Sequence, residues 1–502
     1  MAPNINSKAE KGHTFDVIVI GSGMTGGWSA KEFCEAGFKT LVLERGRNVV
    51  HGADYPTALT NQWEFPYRNT IDPETARNNP IVNRCYAFRE ATQHFFVKDN
   101  EHPYVQKKPF DWIRGYQVGG KSLMWYRQVQ RWAPFDFEAN AADGHGVAWP
   151  IGYEDLAPWY SKVEKFAGIS GNRDGLPQAP DGEFLPPMQM NCLEQHLQKK
   201  IEAQFPNRRV IHARTANLSR PHHGRICRYR NLCERGCPYG GYFSANSTTI
   251  PAARATGNMT LRPYSVVHSV IYDEQKGRAT GVRVIDANTH ETVEYYARVI
   301  FLNASAINSN LILLNSTSNR FPNGLGNDSG MLGRYMTFHN YRINATGKYR
   351  GFRDKYYFGR RPTGLLVPRF RNLYNRRNHD FLRGYAYSFW ARRDVGNMEP
   401  NKSPIGRGFK EQITQLGDWT VGLSSMGEVL PRYENRVSLS KNKKDPWGIP
   451  QIEIDIDYTE NDENMCEDMK QTSRELLEAA GVEDIHVEDT RQAPGLDIHE
   501  MG

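Results

Sequence analysis

The feature that most constrains this chain is a glycine-rich loop between two short apolar segments near its start. Residues 15–20 (FDVIVI) are almost continuously apolar and β-branched, as expected of a parallel strand buried on both faces. Residues 21–26 then have the spacing G-x-G-x-x-G and lead into a helical stretch that Gly37 ends. A second apolar strand, residues 39–43, ends at Glu44. This order predicts the strand–loop–helix–strand unit of a doubly wound α/β domain.

Each glycine of the loop has a mechanical role. Gly21 permits the tight turn, Gly23 lets the backbone approach a pyrophosphate, and Gly26 lets the helix pack closely on the strand. The helix N-terminus offers N–H groups and a positive dipole to the phosphates. Glu44, 18 residues after Gly26, stands where a carboxylate can accept hydrogen bonds from ribose hydroxyls. The loop alone does not choose between FAD and NAD, but its place in a long chain and the Glu44-Arg45-Gly segment favour FAD.

Length and composition exclude several classes of protein. A chain of 502 residues is too long for one core and suits two or three packed domains. No apolar run reaches the roughly 18 residues that span a bilayer. The net charge of +7 is spread along the chain without a nucleic-acid-binding module. The first 14 residues lack an apolar signal core, so we expect a cytoplasmic protein; a processed or co-exported chain would instead lie in a bacterial periplasm.

Four further segments point to one enzyme family. They are residues 114–125 (RGYQVGGKSLMW), 149–160 (WPIGYEDLAPWY), 298–314 (RVIFLNASAINSNLILL) and 431–450, which contains N-R-V and W-G-I-P. Together with the opening loop, they resemble the glucose–methanol–choline (GMC) oxidoreductases. The resemblance spans residues 15–502 and is nearest to bacterial sugar or glucoside dehydrogenases, with pyranose 2-oxidase more distant.

The resemblance implies a doubly wound, Rossmann-like FAD-binding domain interleaved with a substrate domain on an antiparallel sheet, hence an α/β and α+β fold. The expected segments are 15–50, 110–130 and 250–310 for the discontinuous FAD domain, 51–109 for a lid, 131–249 for a linking region with a cysteine cluster, and 311–497 for the substrate domain. In this family the chain continues past the motif that ends at Gly502. The resemblance therefore implies that a last FAD strand and a second catalytic residue lie beyond that position.

The family motifs also imply individual cofactor contacts. Beyond the opening loop, Glu44 and Arg45, the resemblance assigns flavin contacts to Gly119, Gly120, Ser122 and Trp125. It places the adenine against the backbone near Val266. Met124 occupies the position at which pyranose oxidases carry the histidine that bonds to flavin, so we expect non-covalent FAD. Tyr126, Gln128 and Arg131 follow the loop, with structural roles at least as plausible as roles in the site.

His499 is the predicted catalytic residue. Oxidation of an alcohol needs a hydride acceptor and a base for the hydroxyl proton, and a neutral imidazole suits the second task. His499 and Gly502 match the H-x-x-G motif that carries this base in the family. A surface histidine in a terminal tail is the alternative interpretation. His339, in a second recurrent family motif, is interpreted as structural.

Three cysteines lie close together at Cys227, Cys233 and Cys237. Closely spaced thiolates followed by proline suit an iron–sulfur cluster. The resemblance adds that some GMC sugar dehydrogenases hold a [3Fe–4S] cluster through three cysteines at similar spacing. A tetrahedral zinc site would lack one ligand, and a metal-free thiol or disulfide loop is the remaining alternative.

The predicted function is a FAD-dependent dehydrogenase that oxidises a secondary alcohol of a sugar or glycoside to a ketone. Its electrons would pass to a cytochrome, a quinone or a small partner subunit. One alternative is a sugar oxidase that uses O₂; another is a truncated, inactive or non-catalytic subunit. The sugar, the oxidised carbon and the acceptor are not encoded in any motif that we can identify.

Overall fold

The computed structural model describes residues 13–356, 364–375, 378–395 and 405–502. Within them the strands, in chain order, are β1 Thr14–Ile20, β2 Thr40–Leu43, β3 Val105–Gln106, β4 Ile211–His212, β5 Met259–Arg262, β6 Ser265–Asp273, β7 Arg278–Asp286, β8 Thr292–Leu302, β9 His339–Asn340, β10 Ile343–Tyr349, β11 Leu365–Val367, β12 Tyr385–Val395, β13 Leu416–Glu428, β14 Arg436–Lys444, β15 Pro450–Asp455 and β16 Glu483–Asp489. The α-helices are α1 Met24–Glu35, α2 Pro73–Asn78, α3 Ala139–Asp143, α4 Tyr153–Ala167, α5 Cys192–Gln204, α6 Thr249–Ala255, α7 Ala306–Asn315, α8 Arg407–Thr414 and α9 Glu460–Ala479.

The first sheet has the strand order β5-β2-β1-β8-β7-β6, with β5, β2, β1 and β8 parallel and the β6–β7–β8 meander antiparallel. β1 is buried on both faces, as its continuous apolar sequence predicts. Val17 and Val19 pack with α1 and α6, whereas Ile18 and Ile20 pack on the opposite side with Ile312 of α7. The carboxyl ends of β1, β2 and β8 consequently meet at one edge between helices.

The second sheet is antiparallel, in the order β16-β10-β13-β12-β11-β4, with β9 paired to β13. Its inner face packs against α5 and α9 in one apolar cluster that includes the fully buried Trp419. The other face carries polar side chains, among them Asn344, Ser388 and Ser424, which are side-by-side partners on β10, β12 and β13.

The two sheets confirm the predicted fold class, a doubly wound dinucleotide-binding domain interleaved with an antiparallel substrate domain. A third, three-stranded sheet of β14, β15 and β3 was not predicted. β3, from the predicted lid, pairs with β15, and β4, from the predicted linking region, pairs with β11. The domain boundaries stay a prediction. None of the helices in the described part of the chain combines the length and apolarity that crossing a membrane requires.

Candidate functional site

A cleft of about 320 Å³ opens at the edge where the carboxyl ends of the parallel strands meet. Its floor and walls come from the loop after β1, the end of β2, residues 114–121, the start of β6, the β8–α7 junction and the C-terminal segment. Of the sequence-predicted cofactor residues, those that line the cleft are Gly21, Gly23, Glu44, Arg45, Gly120 and Val266. In doubly wound folds this is the edge at which ligands bind.

The glycines of the opening loop are required for different reasons. Gly21 has a φ of +93°, and a Cβ there would lie 2.4 Å from the Asn303 carbonyl oxygen. A Cβ on Gly26 would lie 1.9 Å from the carbonyl oxygen of Gly21, so Gly26 sets the contact between α1 and the strand edge. Gly23 differs: among the described residues other than its chain neighbours, only the Gly120 Cα would lie within 4 Å of a Cβ there, at 3.9 Å. The space beside Gly23 therefore belongs to the cleft.

Two helices begin at the cleft without a side-chain cap. Gly23 is the N-cap of α1 and Ser305 is the N-cap of α7, and neither N-terminus has a side-chain cap hydrogen bond within the described chain. Gly23 and Ser305 both line the cleft. Because uncapped N–H groups and the helix dipoles attract anions, the cleft suits a diphosphate.

Glu44 is buried at the end of β2, in the cleft wall. Its Oε2 accepts hydrogen bonds from the Ser22 hydroxyl at 2.6 Å and the Ser22 N–H at 3.1 Å, and its Oε1 accepts the Gly46 N–H at 3.1 Å. Burial raises the pKa of Glu44, although these donors favour the charged form. The carboxylate thus braces the glycine loop from within while it faces the cleft.

Arg45 is held between two aromatic rings. Its guanidinium lies 4.8 Å from the ring centre of Tyr116 and 4.9 Å from that of Trp447, and it forms an ion pair with Asp445 at 3.2 Å. Trp447 is the first residue of the W-G-I-P motif and Asp445 lies two residues before it, so this part of segment 431–450 holds the arginine at the cleft. Cation–π contacts of this kind hold a guanidinium in one orientation.

The second glycine loop packs directly against the first. Gly119 has a φ of +93° and donates its N–H to the Ser22 hydroxyl at 3.1 Å. Gly120 approaches Gly23 so closely that a Cβ on Gly120 would lie 3.1 Å from the Gly23 Cα. Ser122 donates its hydroxyl to the Gly119 carbonyl at 2.5 Å and accepts the Ala245 N–H at 2.9 Å. Gly119 and Ser122 thus shape the loop without lining the cleft.

Trp125 and Met124, from the same segment, pack behind the second glycine loop. The indole N–H of Trp125 donates to the Phe243 carbonyl at 3.0 Å, and its ring packs edge-on against the Phe243 ring. The Met124 sulfur lies 3.9 Å from the Gln117 side-chain nitrogen. Neither residue lines the cleft. Their predicted relation to the flavin stays a prediction.

The predicted base, His499, lies beside a second histidine. The Nδ1 atoms of His339 and His499 are 2.9 Å apart, so one of the two imidazoles donates a hydrogen bond to the other. Asp497 accepts the backbone N–H of His339 at 2.9 Å. Burial raises the pKa of Asp497 to about 7 and lowers that of His339 to about 3. Surrounding protein also lowers the pKa of His499, although its ring keeps an open face to solvent.

The neighbours of His499 reach the cleft. Ile498 and Glu500 line it, and Glu500 Oε2 accepts a hydrogen bond from the Lys121 ammonium at 2.6 Å. Met501 forms two backbone hydrogen bonds with Thr337, each of 2.9 Å. The segment that carries His499 is therefore tied to the second glycine loop on one side and to the strand region of His339 on the other.

The residues after the second glycine loop have structural partners. Gln128 donates to the Ser388 hydroxyl on β12 at 2.9 Å. Arg131 forms a bidentate pair with Glu164 of α4, at 2.8 and 2.6 Å, and the side chains are only 7% and 3% exposed. These contacts agree with a structural role for Arg131.

Glu164→Gln is expected to lower the free energy of unfolding by about 3–5 kcal/mol, because it leaves the buried Arg131 charge without its partner. Denaturant unfolding followed by circular dichroism measures this change. Glu411→Gln removes the exposed partner of Arg407 on α8, whose side chains are 92% and 58% exposed, and should cause no measurable change. Equal effects of the two substitutions would contradict this assignment.

The three clustered cysteines are free thiols in one loop; Cys227 is buried, and Cys233 and Cys237 are half-buried. Cys227 Sγ accepts the Tyr229 N–H at 3.4 Å, and Cys237 Sγ accepts the Gly241 N–H at 3.3 Å. Arg127, 4% exposed, stacks on Tyr242 at 4.9 Å and interacts electrostatically with Cys233. Among the described residues, ligand atoms close enough to share one metal ion occur only at His339, Asp497 and His499. The cysteines as placed therefore do not form a single-ion site.

Sequence reasoning missed several residues of this region. Asp497 lay in no motif, whereas Lys121 and Glu500 stood as unassigned positions inside the 114–125 segment and the H-x-x-G motif. His339 was interpreted as structural, yet it makes the side-chain contact with His499. The sequence did offer one indication of the role of His339, namely its place after the recurrent G-R-x-M motif. Only the fold shows that β9, which carries it, lies beside the C-terminal segment.

Comparisons with known proteins agree with this geometry. A family model described as GMC oxidoreductase matches residues 15–340. The chain is 27% identical to 2-methyl-1,2-propanediol dehydrogenase of Mycolicibacterium austroafricanum, over 89% of this chain and 77% of that protein. It is 25% identical to the fructose dehydrogenase large subunit of Gluconobacter japonicus, over 94% and 85%. A formate oxidase structure from Aspergillus oryzae shares the fold, with 14% identity, a TM-score of 0.55, and coverage of 98% and 88%.

Proposed function

This chain belongs to the GMC oxidoreductase family, and from that premise we propose that it is a dehydrogenase that oxidises a secondary alcohol of a sugar or glycoside. Membership makes it a FAD-dependent oxidoreductase that acts on CH–OH groups. The choice of a sugar or glycoside, and of an acceptor other than O₂, is the proposed part. The relative that supports it is a fructose dehydrogenase large subunit.

The cleft fits FAD on three observations. Gly23 and Gly120 both line the cleft, and neither carries a side chain that would keep a diphosphate away from their backbones. The N-termini of α1 and α7 have no side-chain cap in the described chain and open into the same space. Glu44 and Val266 provide a carboxylate and an apolar backbone segment in the wall, suited to ribose and adenine. When bound, FAD supplies the acceptor for the hydride of the alcohol.

The observation that carries the proposed chemistry is the contact between His499 and His339. If His499 donates its Nδ1–H to His339, the lone pair on its Nε2 is left to accept the hydroxyl proton of an alcohol. His339 holds that tautomer, and Asp497 holds the backbone of His339. His339 is therefore a positioning residue in the proposed reaction. The ion pair between Lys121 and Glu500 holds the segment that contains His499 at the cleft.

The polar face of the second sheet supports a hydroxyl-rich substrate. Ser424 donates to the Asn344 side-chain oxygen at 2.6 Å, and Ser388 accepts from Gln128 at 2.9 Å. Tyr341, two residues after His339, interacts with both Ser424 and Asp497. A row of hydroxyl and amide groups on the sheet that also carries His339 suits a substrate with several hydroxyls.

A reduction screen tests the proposal. The protein, reconstituted with FAD, is mixed with a panel of sugars, glycosides and simple diols, and reduction of an artificial dye is followed without oxygen. We expect turnover with sugars or glycosides and little peroxide under air. Peroxide at a rate matching dye reduction would favour the oxidase alternative. Failure with every alcohol, despite bound FAD, would favour a non-catalytic subunit.

We also propose that the cysteine loop holds an iron–sulfur cluster that passes electrons to a partner subunit. Three observations support this: the loop holds three free thiols that are buried or half-buried, two of the sulfurs accept backbone N–H groups, and the buried Arg127 cation lies beside them. Thiolate ligands with hydrogen bonds to sulfur are typical of such clusters.

Iron and acid-labile sulfide analysis of anaerobically purified protein tests the cluster. We expect about three iron atoms per chain if each thiolate binds its own iron, as in a [3Fe–4S] cluster. Cys233→Ser should abolish the iron signal while leaving the FAD affinity unchanged. Protein with neither iron nor sulfide would contradict the proposal and leave a metal-free loop.

A further inference from the structure

The cluster around His499 brings together the donor types of a transition-metal site. Single ligand atoms of His339, Asp497 and His499 all lie within 4.8 Å of one another. The two imidazole nitrogens that face each other are 2.9 Å apart. Two nitrogen ligands on a tetrahedral zinc ion are about 3.3 Å apart, given Zn–N bonds of 2.0–2.1 Å. A shift of about half an ångström would therefore suffice to admit the ion.

Asp497 has an oxygen that the protein does not use. Its Oδ2 accepts the His339 N–H, but its buried Oδ1 has no hydrogen-bond partner among the described residues. Buried carboxylate oxygens normally have a donor or a cation beside them. The Asp497 carboxylate lies within 4.8 Å of ligand nitrogens of His339 and His499, so a cation bound among the three residues would give the carboxylate its missing partner.

The site is held together before any ion binds. His339 pairs with Glu428 in the ladder between β9 and β13, so its backbone is fixed by the second sheet. The segment of Asp497 and His499 is fixed to the same region by the two backbone hydrogen bonds between Thr337 and Met501. The ligands thus come from two segments already clamped together, which lowers the entropic cost of gathering them.

The local charge also suits a dication. Lys121 contacts this segment through its ion pair with Glu500 at 2.6 Å, and the Glu500 carboxylate balances the charge of the ammonium. The Asp497 carboxylate therefore remains to offset part of the charge of an ion. Two imidazoles and one carboxylate select zinc and similar first-row ions, whereas calcium and magnesium prefer all-oxygen sites.

We propose that His339, Asp497 and His499 form an inhibitory site for zinc or a similar transition-metal dication, which competes with the alcohol for His499. Binding would take up the Nδ1 lone pairs of both imidazoles and break the hydrogen bond that sets the tautomer of His499. A chelator would restore activity by removing the ion. The inhibitory part rests on the proposed function of His499, whereas the binding part does not.

Isothermal titration calorimetry with Zn²⁺, on the FAD-reconstituted protein, tests the binding part. We expect one zinc per chain at this cluster, and Asp497→Asn and His339→Gln should each weaken that affinity at least about tenfold, or 1.4 kcal/mol. Because the cysteine loop also offers metal ligands, Cys237→Ser is the matched control and should leave this affinity unchanged. His486→Ala, on the exposed face of β16, controls for loss of any histidine.

Zinc binding that disappears in Cys237→Ser but persists in Asp497→Asn would overturn the proposal, as would the absence of binding. Circular dichroism of each variant excludes unfolding as the cause of lost affinity.

Inhibition is tested separately, with dye reduction by the unsubstituted protein. Zinc should raise the apparent KM for the alcohol, and a chelator should reverse the effect. If no alcohol is oxidised, calorimetry still decides whether the site exists, so failure of the proposed function and failure of the metal site are distinguishable.

Discussion

Gly23→Ala is expected to weaken FAD binding at least about tenfold, equivalent to 1.4 kcal/mol, while leaving the fold intact. The reason is geometric. Among the described residues, and apart from its chain neighbours, the nearest atom to a Cβ at this position is the Gly120 Cα at 3.9 Å, so the protein accommodates it. The methyl group instead occupies the cleft beside Gly23, where the diphosphate would lie against the backbone N–H groups at the start of α1. Titration of FAD fluorescence against the protein measures the dissociation constant.

Gly26→Ala is the matched comparison for that experiment. Its Cβ would lie 1.9 Å from the Gly21 carbonyl oxygen and has no room inside the protein. We expect Gly26→Ala to lower the free energy of unfolding by about 1–3 kcal/mol, as overpacking does. Gly23→Ala should leave that free energy unchanged. Unaltered FAD affinity in Gly23→Ala would show that the diphosphate does not lie beside Gly23.

His499→Ala is expected to lower kcat/KM by about 10²- to 10⁴-fold, the usual contribution of a general base. Loss of the imidazole removes the acceptor for the hydroxyl proton but leaves every residue that lines the cleft in place. FAD affinity should therefore remain within about twofold of that of the unsubstituted protein, a difference of less than 1 kcal/mol. Dye reduction with the best alcohol from the screen, over a range of concentrations, separates kcat from KM.

His486→Ala serves as the control for His499→Ala, because His486 is exposed on β16 at the far edge of the second sheet. Its turnover should match that of the unsubstituted protein. His339→Gln should fall between the two variants, since it removes a contact that positions the base but not the base itself. Turnover of His499→Ala at the rate of the control would refute the catalytic assignment.

The sequence predicted the first sheet best, because its signal is local. The strand, the glycines and Glu44 lie within 31 residues, from Thr14 to Glu44, and their order alone identifies the unit. The placement of Glu44 beside Ser22 could not be predicted in the same way, because a buried carboxylate bracing its own loop leaves no distinct pattern. The family resemblance, rather than periodicity, predicted the antiparallel sheet.

Contacts between distant segments account for what the sequence did not show. The pairing of His339 with His499 joins positions 160 residues apart, and that of Lys121 with Glu500 joins positions 379 apart. Each histidine, taken alone, matched only a short motif that a surface residue could also match. The unpartnered oxygen of Asp497 is a property of its surroundings, so only a structure with side chains shows it. The third sheet was missed for a related reason, since β3 has only two residues.

The segment of residues 494–502 contacts three separate parts of the protein around the proposed reaction centre. Pro494 accepts a hydrogen bond from Asp111, Glu500 binds Lys121, and Met501 is paired with Thr337. Because Ile498 and Glu500 line the cofactor cleft, a group bound there would contact the segment that carries His499. The two residues that face the cofactor therefore flank the proposed base directly in the sequence, one on each side of His499. The distance from the base to the cofactor is thus fixed by a single stretch of backbone.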